Sequence, residues 1–213
     1  MAVPLRVGFF AAAILSGLVL CALGVYSHRR FDEPGTAPFA AMAVVLGLGA
    51  ISGTLIAVVR GVNIDGRSIP LWADFTLLTW TVAMVPWFLF ALQYTGRLVE
   101  LRWPTVGAVS APVVGINLLI GLRVAAFVET TLLTRLLGTV LLLYIFALVA
   151  VGSYLVLRTS YEYGHLSVFQ GVSLTVASVG PLVLINSIGT LAGEASETVV
   201  LGVYTAALMT PAV

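Results

Sequence analysis

Apolar residues fill seven stretches of this chain, separated by short runs that carry nearly all of its charge. A helix needs about 20 apolar residues to cross the hydrocarbon core of a bilayer. Stretches of roughly that length cover 7–26, 39–59 and 71–92. A shorter one covers 106–122, and two longer ones cover 136–157 and 168–191. The last begins at 199 and meets the end of the sequence at 213, short of a usual span. The pattern predicts an all-α membrane protein, a seven-transmembrane-helix bundle whose seventh helix is incomplete at the C-terminus. It forms a single transmembrane domain over 1–213. The first apolar run exceeds the 7–15 residues usual for a signal-peptide core, so it is expected to be a retained helix.

The runs between the spans, at 28–35, 60–67, 96–102, 123–129, 158–165 and 193–197, are too short to build an extramembrane domain. Orientation should follow from the basic residues, but these divide evenly. Arg29, Arg30, Arg97, Arg102 and Arg158 fall on one side, and Arg6, Arg60, Arg67, Arg123 and Arg135 on the other. The tight pair Arg29-Arg30 tips the expectation to a cytoplasmic first loop and an N-terminus outside, in a multi-pass protein of the cell membrane.

Composition narrows the function classes. Hydrophobic residues make up 60% of the chain and charged residues 9%, with a mean hydropathy of +1.11. A soluble domain carries about 25% charged residues, so lipid is the expected solvent and partner for most of this surface. The net charge of +1 gives no basic run for nucleic acid. All basic residues other than histidine are arginine. Without a lysine there is no Schiff base for retinal, and no cofactor is expected. The single cysteine, Cys21, lies in the first span and reads as a small core hydrophobe.

Packing signals are present within the spans. Gly49 and Gly53, extended by Ala57, have the spacing that lets helix backbones approach closely. Pro86, Pro112 and Pro181 fall inside the third, fourth and sixth spans, where each frees a carbonyl that needs another partner.

Polar side chains inside a membrane are costly and often functional. Asp74, Asn117, Arg135 and Asn186 fall toward one side of the bundle, with Trp72 and Trp80 on the third span. A carboxylate, a guanidinium, two amides and two indoles together would suit an unidentified small ligand. The alternative leaves Asp74 and Arg135 solvated at the interface, with Trp72 as an aromatic anchor. On the opposite side, Gln93 ends the third span and Gln170 opens the sixth, a pair able to hydrogen-bond across helices. Tyr94 and Arg97 suit interfacial anchors and Gly96 a helix C-cap. No catalytic set is visible, and His28 and His165 lie on loop flanks without the spacing of a metal site. The chain is expected to be non-enzymatic.

The run Phe90-Ala91-Leu92-Gln93-Tyr94-Thr95-Gly96-Arg97 closing a third span resembles a signature of the seven-transmembrane N-terminal sensor region of archaeal and bacterial histidine kinases. Gln170, Pro181 and Asn186 in the sixth span match that family's glutamine, proline and asparagine more loosely. The resemblance extends over the whole chain in span count and loop shortness. It implies an outside N-terminus and a seventh helix leading to cytoplasmic signalling modules of a two-component system. The all-arginine usage is similar to haloarchaeal members. The sequence departs from the pattern by stopping inside the seventh helix. It is then either a fragment of a kinase, whose activity would reside beyond it, or a stand-alone relative acting on another protein or on a second copy of itself.

Two function classes remain at this point. One is a membrane sensor with a signal carried by the sixth and seventh helices and Pro181 as hinge. The other is a small multi-pass transporter, with an accessory subunit of a larger complex as a third option. Residues 7–95 and 106–191 show no repeat of the kind a transporter built from two halves would carry.

Overall fold

The computed structural model describes residues 3–60, 71–125, 132–163, 172, 176 and 197–209, and structural statements concern these. Six helices are delimited, α1 (Val3–Arg30), α2 (Thr36–Arg60), α3 (Leu71–Tyr94), α4 (Trp103–Ala125), α5 (Leu132–Tyr163) and α6 (Glu197–Met209). No strand occurs among the described residues. The protein is an all-helical bundle. Four of its helical segments, Arg6–Arg30, Thr36–Val59, Phe75–Tyr94 and Arg135–Glu162, are long and apolar enough to cross a membrane. Trp103–Leu119 is a shorter apolar helix, and the sixth predicted span, 168–191, lies outside the described residues apart from two positions.

The helices overrun the apolar stretches because polar residues near their ends still find helical partners. The run 158–165, expected as a loop, begins inside α5. There Arg158 Nε donates to Glu162 Oε1 at 2.8 Å, one turn along the same face. Both α3 and α4 continue unbroken through Pro86 and Pro112.

α3 is the hub, packed against α2, α4 and α5. Its Trp80, Ala83, Met84, Trp87 and Ala91 are almost wholly buried. Around this hub the outer faces are as apolar as the inner ones. On α5, Leu141, Ile145, Leu148 and Val156 are buried while Leu136, Val140, Leu143 and Val151 are exposed. Water would not tolerate the exposed row, and a helix apolar on all sides belongs in lipid.

α1 and α2 form a hairpin whose contact is made of small residues. Ala40, Ala43, Gly47, Ala50, Thr54 and Ala57 are buried along α2 at alternating three- and four-residue steps. A row of that period keeps facing the same neighbour along a left-handed, nearly antiparallel crossing. A Cβ built on Gly17 would stand 2.7 Å from the Gly47 carbonyl oxygen, and one on Gly47 would stand 2.5 Å from that of Gly17. The two backbones touch. The expected Gly49-Gly53 pair acts on a different side, since Gly49 lies against Thr79 of α3.

Candidate functional site

Among the described residues two polar places occur inside this bundle, one toward each end of α3. The first surrounds the C-terminus of α3. Gly96 takes the left-handed conformation (φ 69°), its amide donates to the Gln93 carbonyl at 3.0 Å, and the Arg97 amide donates to the Leu92 carbonyl at 3.0 Å. This paired closure is a Schellman cap, which satisfies the last helical carbonyls and favours glycine at the left-handed position. One turn earlier, the Gln93 side chain accepts a hydrogen bond at 3.1 Å from the amide of Gly35, in the α1–α2 turn. Gly35 is itself left-handed (φ 96°), and Phe90 would stand 3.2 Å from any Cβ placed there. Phe90 stacks on Tyr94 at 5.6 Å and packs against Phe39 and Trp87.

Phe90, Gln93, Tyr94 and Gly96 therefore act together as a latch that fixes the α1–α2 turn to the end of α3. The pairing expected between Gln93 and Gln170 falls outside the described residues, and the carbonyl of Gln93 is engaged by Gly35. Arg97 is exposed. Replacing Gln93 by leucine leaves the buried Gly35 amide without its acceptor, a loss of about 1–3 kcal/mol. The expected outcome is a lower unfolding midpoint in an SDS titration, with Gln93→Glu keeping most of the stability because a side-chain acceptor remains.

The second place lies in the opposite half. Tyr204 of α6 is fully buried, and its hydroxyl lies 3.3 Å from Thr76 Oγ1 on α3 and 3.5 Å from Thr54 Oγ1 on α2. Thr54 also donates to the Ala50 carbonyl at 2.7 Å. Five residues beyond Thr76 on α3, Thr81 Oγ1 accepts a hydrogen bond at 3.3 Å from the Asn117 side-chain amide, which also donates to the Val113 carbonyl at 2.8 Å, joining α4 to α3. Hydroxyls and one amide thus cross-link α2, α3, α4 and α6 inside an apolar interior.

The expected ligand site maps onto this half only in part. Asn117 is half-buried and occupied by its α3 contact. Trp80 is core, and its indole N–H has no acceptor among the described residues; the same holds for Trp87 seven residues on, and for the Ser153 hydroxyl on α5. Arg135 is exposed in the first turn of α5. Trp72 and Asp74 fall in the first turn of α3, and their side chains are outside the described set. Asn186, Gln170 and Pro181 lie outside the described residues. Among the described residues no group of three or more His, Cys, Asp or Glu side chains is placed to hold a metal ion.

No family model, no curated protein and no solved structure matches this chain.

Sequence reasoning missed Tyr204, Thr54 and Thr76. Threonine or serine inside a helix can satisfy its hydroxyl on the carbonyl one turn back, as Thr54, Thr205 and Ser160 do here. Such residues cost little in lipid and read as apolar. The usable signal was Thr54 falling in step with the small-residue row of α2.

Proposed function

We propose that this protein is a membrane-embedded sensory module, non-catalytic in itself and a bundle of seven spans. In this reading a stimulus in the Tyr204 half shifts the last helix, which carries the change to a signalling partner. The observation that supports it is the seating of α6. This helix packs on α1, with Gly202 near the ring of Phe9, while Tyr204 reaches past it to polar groups on α2 and α3. A helix whose polar contacts to α2 and α3 are long hydroxyl pairs has partners there that can be exchanged at small cost. Apolar interlocking would offer no such alternative arrangement. A ligand or membrane property then moves the equilibrium only as far as it binds the two arrangements differently.

The sensor signature at the close of α3 fits the same scheme, because the latch immobilises the opposite end of the hub. Motion is then confined to the half where α6 docks.

The test places nitroxide labels at Leu18 on α1 and Val199 on α6, both exposed to lipid, in protein reconstituted into vesicles. A stimulus found by thermal-shift screening should change the label distance, and Tyr204→Phe should abolish or lock that change while the fold persists. Binding without any movement of α6, or stimulus-dependent flux of solute across the vesicles, would refute the sensory reading.

A further inference from the structure

An open groove of about 450 Å³ runs between the end of α1 and the start of α2, lined by Gly24, Val25, Ala37, Ala40, Ala41 and Val44, with His28 and Arg29 at its head. Its floor is apolar and made of small residues, so it is the imprint of missing side chains rather than a gap between large ones. It opens on a surface whose neighbouring α1 residues, Leu18, Leu23, Val25 and Tyr26, are exposed and apolar. In a bilayer that surface faces acyl chains. Arg29 and His28 are exposed, and among the described residues neither side chain makes an ion pair or hydrogen bond. Gly24 lies five residues below Arg29, about 7.5 Å along the helix at 1.5 Å per residue. Cation and apolar floor are therefore separated by about the depth from a lipid phosphate to the upper acyl chain.

We infer that this groove seats an anionic phospholipid of the bilayer, with one acyl chain on the floor and the phosphate against Arg29 and His28. Charge complementarity selects the lipid class. A guanidinium offers paired donors to phosphate oxygens and remains charged at any physiological pH. A zwitterionic headgroup would bring its own cation against Arg29. Asp32 and Glu33 in the following turn are not part of the lining. They repel a phosphate from the turn itself and leave the α1 edge as its place. The inference does not depend on the sensory reading.

Native mass spectrometry on the full chain, purified from vesicles of phosphatidylglycerol and phosphatidylcholine, reads the site directly. The unsubstituted protein should retain one phosphatidylglycerol in preference to phosphatidylcholine. Arg29→Gln should lower that preference about fivefold, the worth of one arginine near a lipid surface. Ala41→Trp fills the groove from an exposed position and should remove the retained lipid, while Arg30→Gln, outside the lining, should leave it. Equal retention of both lipids, retention by Ala41→Trp, or equal loss in Arg30→Gln and Arg29→Gln would overturn the site.

Discussion

Trp87→Ala is expected to cost about 3–5 kcal/mol, the range for deleting a large aromatic from a packed core. Trp87 has no exposed surface, sits on the hub helix, and meets Phe90 at a centroid distance of 5.7 Å and the α5 backbone at Gly152, where a Cβ would stand 3.2 Å from Nε1. No neighbour can collapse into the space without unpacking α3 from α5. Trp87→Phe makes the sharper measurement. The indole N–H has no acceptor among the described residues, and a buried, unpaired donor carries a penalty of about 1–3 kcal/mol. Phenylalanine removes that donor along with part of the ring. The phenylalanine variant should therefore lose roughly half, or less, of what the alanine variant loses in an SDS-titration midpoint. Equal losses would mean that the N–H is hydrogen-bonded in the folded protein.

Gly47→Leu is expected to prevent α1 and α2 from packing. Ordinary overpacking costs about 1–3 kcal/mol because flexible side chains move aside. Here the obstacles to a Cβ include main-chain atoms, the Gly17 carbonyl at 2.5 Å and the Cys21 amide nitrogen at 3.0 Å. Relief requires the two helices to separate along their length, so the loss should exceed that range. Size-exclusion chromatography in detergent should show aggregated or absent protein, with rapid proteolysis of the 31–35 turn. Gly107→Ala and Gly138→Ala serve as controls, since nothing lies within 4 Å of a Cβ at either position. Both should be neutral or stabilising, by up to about 1 kcal/mol, as alanine replaces glycine in a helix. A Gly47→Leu protein as stable as these controls would show that the α1–α2 contact is looser than the structure has it.

The all-helical fold, with helices long and apolar enough to cross a bilayer, was legible in the sequence because lipid demands long apolar helices and little else. Positions where the sequence carries an unusual backbone requirement were legible too. Gly96 reads as a cap because it follows the last apolar turn, and it has the left-handed φ that a cap uses. The path of α5 beyond Leu157 was not legible, since Arg158 and Glu162 look like loop residues until their pairing along one helix face is seen.

The interior contacts were the least legible. Apolarity tells an inside from an outside only when the outside is water, and here both faces of α5 are leucine and valine. What distinguishes the inner faces is residue size, as in the row from Ala40 to Ala57. Size is a quieter signal than polarity. The search for charged and amide side chains led to Asn117, which does join two helices. It passed over Tyr204, which is neither charged nor an amide, yet is fully buried.

The α1–α2 hairpin bears on how the chain is assembled. Its halves are joined by the short turn 31–35, and its contacts are between residues close in sequence. Local contacts of this sort form early, because little chain entropy is lost in bringing them together. Antiparallel helices on a short loop are a natural unit of insertion. As the polypeptide emerges during synthesis, this pair can complete its seam before α3 exists, presenting Gly49 as the notch into which Thr79 later fits. The hairpin then serves as the template on which the helices that follow it are laid.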